Sequence, residues 1–244
     1  MKIIAFAAIM ILFIMCTLTA CGEKSAELQT PRETIGLEAE VSPEWAAALA
    51  EKQDARQLFV VAAYEKSTAW VSLHEKDDSG VWRMIMSTPG FIGKNGLGKT
   101  REGDSMTPVG VFFFNRAFGI APDPGCAIPY VQADEDTYWS GDGREGMRYN
   151  ELVSLRDVPG LNTSDSEHII DYTYQYQYCL NISYNAEGTP GLGSAIFLHC
   201  LGDRKPYTGG CVAIPMEQMY FVIQHVSPDC TVVIDTLENL GGRF

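Results

Sequence analysis

The chain has 244 residues, 46% of them apolar, including 11 Phe, 11 Tyr and 4 Trp, which is ample for one substantial core and too little for two ordinary domains. Its formal net charge is −13 and its few Lys and Arg are scattered, so it lacks the basic face with which a nucleic-acid binder displaces counterions. Nucleic acid is therefore excluded as a partner, and the acidic balance argues for solubility without specifying a fold.

The chain starts with MKIIAFAAIMILFIMCTLTA, which carries one Lys, an apolar run from Ile3 to Met15 and small residues ahead of Cys21. This is the layout of a signal peptide over residues 1–20, and the apolar run is short for a stable membrane span. Leu18-Thr19-Ala20-Cys21 also resembles the lipobox of bacterial lipoproteins, which implies a lipid on Cys21 and an exported chain anchored on the outer side of the cytoplasmic membrane. An ordinary secretory signal and an uncleaved membrane helix are the alternatives. Residues 21–42 are polar, without apolar periodicity, and read as a flexible spacer.

Export frames the remaining cysteines. Cys126, Cys179, Cys200, Cys211 and Cys230 are odd in number, so at least one is a free thiol or pairs outside the chain. The sequence contains no Cys-x-x-Cys, which argues against a structural zinc site, and neither metal nor organic cofactor is expected.

Ser42-Pro43-Glu44 offers an N-cap, a Pro at the first helical position and an acid in the first turn, predicting a short helix to about Gln53. QLFVVAAYE, TAWVSLHEK, a DDSG turn and VWRMIMS then read as strand, strand, hairpin and strand. From about residue 119 to 167 the chain turns irregular, with Pro122, Pro124, Pro129, Gly141, Gly143, Gly146, Pro159 and Gly160 interleaved with Tyr130, Tyr138, Trp139 and Tyr149. So long an irregular stretch inside a compact domain is a functional loop or disordered, and its aromatics favour a packed lid or substrate wall. DYTYQYQYCLNISYN predicts one or two more strands, SAIFLHCL and DCTVVIDT one each, and MEQMYFVIQHV an amphipathic helix on Met216, Met219, Tyr220, Val222, Ile223 and Val226. The body is thus mainly β with a few helices and a long irregular lid insertion, and it shows no internal repeat.

The chemistry concentrates in IFLHCLGDRKPYTGGCVAIP. Taken alone, Cys211 between a Thr-Gly-Gly turn and a Val-Ala-Ile strand reads as a core thiol, half of a disulfide, a metal ligand or a nucleophile. Cys200 and Cys230 read as core thiols or as a strand-to-strand disulfide. His199 ends an apolar run at a strand mouth, and the loop after it delivers Cys211, which lets an imidazole fold back onto a thiol. A cysteine attacks as thiolate, and a neighbouring His that takes its proton makes it reactive. Gly209 and Gly210 permit positive φ and bring backbone N–H groups close to whatever the sulfur attacks, as an oxyanion hole requires.

His199 followed by Thr208-Gly209-Gly210-Cys211-Val212 resembles the signature of the L,D-transpeptidase catalytic domain. Upstream, Thr107-Pro108-Val109-Gly110-Val111-Phe112, entered through a basic stretch, resembles that family's other landmark. The resemblance frames residues 56–236 as one catalytic domain. It implies a β-sandwich-like fold, a Cys211 nucleophile and a His199 base acting on peptidoglycan stem peptides; the chain is expected to be a monomer, tethered to the cell membrane by the lipid on Cys21. Cys211 would attack the third stem residue, expel the terminal D-alanine and form a thioester, which an amine converts to a 3→3 cross-link and water to a shortened stem. The alternatives are an L,D-carboxypeptidase and a non-catalytic lipoprotein that binds stem peptides. Thr208, Gly209 and Gly210 would orient His199 and bind the oxyanion, and Arg101 is the candidate for holding a substrate carboxylate. Ala213 stands where many members carry Arg, and His168 reads as a surface histidine or a lid residue lining the cleft.

Overall fold

The computed structural model describes residues 39–202 and 205–243. The expected signal peptide, the lipidation site Cys21 and the spacer up to residue 38 lie outside the described residues.

The described chain opens with β1 (Glu40–Val41) and α1 (Glu44–Lys52). The expected cap differs in one respect: Pro43 occupies the N-cap position, and its carbonyl accepts the N–H groups of Ala46 and Ala47. Ser42 does not cap because its hydroxyl bonds the Nδ1 of buried His74 at 2.8 Å, while His74 Nε2 bonds Ser72 Oγ at 2.8 Å. Next come β2 (Gln57–Ala63), β3 (Thr68–Lys76) and β4 (Trp82–Phe91), with β3 antiparallel to β2 and β4 antiparallel to β3. In the DDSG turn between the last two, Asp77 Oδ1 accepts the N–H of Ser79 at 2.9 Å and of Val81 at 3.0 Å.

β5 (Gly110–Gly119) continues directly from the Thr-Pro landmark and pairs on both edges, so this stretch is a central strand as well as a turn. The Pro- and Gly-rich segment after it holds only short strands, β6 (Tyr130–Gln132), β7 (Thr137–Trp139), β8 (Leu152–Ser154) and β9 (Glu167–His168). β6 adds to the main sheet, and the other three form a small antiparallel sheet of order β8-β7-β9.

DYTYQYQY departs from the strand reading, forming 3-10 turns at Ile169–Asp171 and Gln175–Gln177. Tyr172 and Tyr176 stack with ring centroids 4.5 Å apart, a contact that residues four apart reach in a turn. In a strand the same spacing separates them by about 13 Å. Regular structure resumes with β10 (Cys179–Ile182), β11 (Phe197–Cys200), β12 (Val212–Ile214), α2 (Met216–His225) and β13 (Thr231–Thr236).

Among the described residues the main sheet runs β1-β4-β12-β11-β10-β5-β13-β2-β3, and β3 pairs again with β4. The path from β4 back to β4 therefore closes on itself, and the fold is mostly β with two α-helices. β2 shows how the core is divided. Its Phe59, Val61 and Ala63 face the main core with Leu198, Val212 and Val222, whereas Leu58, Val60 and Ala62 face Leu49 and Ala50 of α1. Both faces are buried, which is why this strand reads as an unbroken apolar run rather than an alternation. A third cluster of Phe118, Trp139, Ile169, Tyr176 and Phe197 packs the irregular segment onto the sheet beside Cys211. Phe197 makes edge contacts with Phe118, Trp139 and Tyr176 at 5.0, 4.7 and 5.6 Å, each worth about 0.5–1.5 kcal/mol beyond area burial. Cys126, Cys179, Cys200, Cys211 and Cys230 are all free thiols, so Cys200 and Cys230 are not joined.

Candidate active site

β11 and β12 run parallel with His199 opposite Ala213. Side chains alternate along a strand, so Cys211, two residues before Ala213, projects from the same face as His199 as its diagonal neighbour. The sequence separates them by a loop, and strand register brings them together.

The turn before Cys211 is tied at several points. Thr208 Oγ1 donates to Cys211 O at 2.7 Å and accepts Gly210 N–H at 3.1 Å. Gly210 has φ +146°, and a Cβ there would meet Met106 O at 2.9 Å, so no larger residue fits without displacing backbone. Thr107 of the upstream landmark is fully buried, donates to Gly210 O at 2.7 Å and accepts Gly93 N–H at 2.8 Å. The two landmarks are therefore one hydrogen-bonded unit.

The Cys211 thiol donates to Ala195 O at 3.1 Å and accepts Phe197 N–H at 3.4 Å. Asn150 Oδ1 holds this neighbourhood, accepting from Ala195 N–H at 3.0 Å and from Trp139 Nε1 at 3.0 Å. His199 Nδ1 lies 2.8 Å from Cys200 O. A carbonyl only accepts, so Nδ1 carries the hydrogen and Nε2 is the basic nitrogen. Tyr176 stands edge-on to the imidazole with ring centroids 5.5 Å apart.

Burial decides the protonation states. It lowers His199 to about 4 against the opposing bond to Cys200, and it raises Cys211 to about 12, Glu167 adding to the rise while Phe197 N–H and Lys99 oppose it. Near neutral pH the site rests as thiol and neutral imidazole rather than as an ion pair.

Both residues line one cavity of about 680 Å³. Thr208, Gly209 and Ala213 line it as well, the last presenting only a methyl group. Arg101 is exposed and lies outside the lining; the lining cation from that loop is Lys99, whose side chain is 2% exposed and pairs with Asp104 Oδ1 at 3.2 Å. Thr208 spends its hydroxyl within the turn, and His199 is oriented by Cys200 O. His168 also lies off the lining, stacked on Tyr138 at 4.4 Å and bonded to Glu135 O at 3.0 Å. Sequence reasoning missed Lys99, Asn150, Glu167 and Tyr176. The only signal for the last two was their place at and just beyond the end of an aromatic-rich segment.

The family model described as YkuD, the L,D-transpeptidase catalytic domain, matches residues 59–234. The chain belongs to this family. Its L,D-transpeptidase domain is similar to three solved structures. The helical cell shape determining protein Pgp2 from Campylobacter jejuni matches at 17% identity and TM-score 0.39, over 79% of this chain and 54% of that one. A fused Zn-dependent amidase/peptidase/peptidoglycan-binding domain-containing protein from Clostridium acetobutylicum matches at 13% identity and TM-score 0.37, over 80% and 64%. The Ldtfm-avibactam carbamoyl enzyme matches at 15% identity and TM-score 0.33, over 75% and 49%. The chain thus spans between about half and two thirds of the structures it matches. No curated protein matches it in sequence. Within the L,D-transpeptidase domain, the family's two sequence landmarks meet at the bond between Thr107 and Gly210.

Proposed function

We propose that the protein is a cysteine L,D-transpeptidase that acts on peptidoglycan stem peptides through a thioester on Cys211. The supporting observation is the shared face of His199 and Cys211 on one cavity wall, with Nδ1 of the imidazole tied back and Nε2 left basic. As the thiol attacks the carbonyl of the third stem residue, Nε2 takes its proton, so the ionised sulfur exists only while the bond forms. Gly210 N–H is engaged by Thr208, and the oxyanion is assigned to the Gly209 and Cys211 amides of the same turn. His199 then protonates the leaving D-alanine amine. An amine acceptor yields a 3→3 cross-link and water a shortened stem.

The resting thiol and imidazole are both neutral, and this suits the reading. A thiol that ionises only on attack stays inert until substrate fills the cavity and excludes water. On this reading, purified protein given tetrapeptide stems releases D-alanine and Cys211→Ala releases none. Equal release by that variant would overturn the assignment. A stem-binding protein without turnover would bind stems and release nothing even with Cys211 intact.

The expected location, held on the outer side of the cytoplasmic membrane by a lipid on Cys21, rests on residues 1–21. Its check is fractionation: Cys21→Ser leaves the membrane fraction if the lipid is the anchor, and stays there if the apolar run spans the bilayer.

A further inference from the structure

Forming an amide from an amine acceptor raises a proton problem that water does not. An amine in neutral solution is an ammonium without a lone pair, and two protons must leave its nitrogen before the amide is complete. His199 accounts for one, because Cys211 needs that proton back when the thioester breaks. The other goes to bulk water before the amine enters, at the cost of binding a minority form, or to a second base in the same cavity.

Glu167 shares the cavity with both residues. It lies on β9 opposite Trp139, lines the cavity with Cys211 and His199, and accepts the Tyr176 hydroxyl on Oε2 at 2.6 Å. The Tyr176 ring is the one standing edge-on to His199. The other polar groups of the lining are less suited. Lys99 is committed to Asp104, Lys205 is exposed, Asp165 is exposed and accepts Asn162 Nδ2, and Glu102 accepts both the Tyr149 and Ser194 hydroxyls at the exposed rim. Tyr172 and Tyr176 are pushed too high by burial to hold a phenolate.

We propose that Glu167 is a catalytic base that takes the first proton from an ammonium acceptor and thereby makes this cavity selective for amines over water. The inference rests on the thioester reading given above. In the step, the ammonium gives a proton to the Glu167 carboxylate and the freed lone pair forms the N–C bond at the thioester carbonyl. The second nitrogen proton passes to His199 Nε2. As the C–S bond breaks, the departing sulfur takes that proton, and the Glu167 carboxyl returns its own to solvent.

The electrostatic setting matches the task. Burial raises Glu167 to about 7 and Glu102 adds to the rise, with the Tyr176 hydrogen bond opposing. A carboxylate there is a far stronger base than one in water and still ionises near neutral pH. The groups whose charges couple to it are Tyr172 and Tyr176 from the 3-10 turns, Cys179 from β10, Cys211 from the nucleophile turn and Glu102 from the rim.

The test is the ratio of cross-linked dimer to shortened stem, since both products drain one acyl-enzyme. In Glu167→Gln the ratio should fall about a hundredfold. Methoxyamine, an amine already uncharged at neutral pH, needs no first deprotonation, so the ratio of its adduct to shortened stem should match the unsubstituted protein within about threefold. The unsubstituted dimer ratio should fall as pH drops through about 7, and Tyr176→Phe, which removes the bond that holds the carboxyl down, should move that midpoint upward. If Glu167→Gln yields no product, the Tyr176→Phe midpoint decides. A dimer ratio unchanged in Glu167→Gln, a methoxyamine ratio as depressed as the dimer ratio, or an unmoved Tyr176→Phe midpoint would overturn the inference while D-alanine release keeps the functional reading. Unsubstituted protein that makes only shortened stems overturns the inference alone, and one that releases no D-alanine overturns both.

Discussion

The two sides of the cavity are held by different means. On the Cys211 side, parallel pairing of β11 with β12 places Cys211 and His199, and the Thr107 and Thr208 hydroxyls brace the turn by donating to main-chain carbonyls. On the other side, residues 137–177 form strands of two or three residues and short 3-10 turns, held by the small β8-β7-β9 sheet and by side-chain bonds such as those of Asn150 and Tyr176. A backbone ladder tolerates many side chains, whereas a side-chain bond on either side is lost with one residue.

The comparison breaks first at the loop of residues 94–107, whose Lys99 lines the cavity and is buried with Asp104. Lys99→Met leaves the Asp104 carboxylate without its cation and should cost about 3–5 kcal/mol in denaturant unfolding. A loss under about 1 kcal/mol would mean that the Thr100, Arg101 and Met106 N–H groups satisfy Asp104 by themselves.

A second test separates the sides by the sign of their pH dependence. His199 is lowered in the folded state, so the unfolded chain binds the proton first, and stability falls as pH drops from about 6.5 toward 4, by about 3 kcal/mol. Glu167 is raised, so the unfolded chain ionises first, and stability falls as pH climbs from about 4.5 through 7. His199→Gln should flatten part of the acid limb, leaving the share of buried His74, which is also lowered to about 4, and Glu167→Gln should flatten the alkaline limb. Urea midpoints that shift in parallel at every pH would show that neither group titrates as described.

Thr107→Val probes how far the Cys211 turn relies on one hydroxyl. Gly93 N–H and Gly210 O would lose their partner, and a loss of about 1–3 kcal/mol with slower D-alanine release is expected. Stability lost with the rate kept would show that the turn holds its shape unaided. The smallest effect belongs to Arg101→Ala: an exposed side chain off the cavity lining should change stability by less than about 0.5 kcal/mol and leave the KM for stems unchanged. A raised KM would return Arg101 to the role its sequence position suggests.

Much of the fold was legible because its signals are local. QLFVVAA, VAI and TVVIDT read as strands and MEQMYFVIQH as a helix, since apolar runs and a helical period survive in any context. β5 was hidden behind its turn motif, and DYTYQYQY was misleading because alternating Tyr and Gln satisfies strand periodicity while those rings are needed as a wall. In the site, Cys211 and His199 were legible as a spaced pair with glycines between. Glu167 was not, because one carboxylate in an irregular acidic stretch carries no pattern.

By itself the sequence determined the mainly β body, the cysteine with its histidine, and the turn residues that only glycine and a small hydroxyl satisfy. These are properties of nearest neighbours and of period, and they travel with the chain. Tertiary structure alone decided which cation of the 94–107 loop reaches the cavity, Lys99 rather than Arg101, and that Thr107 braces the turn before Cys211. It also decided the protonation of His199, Cys211 and Glu167. Each depends on burial and on contacts between residues far apart in sequence, where a group's surroundings rather than its identity set its charge.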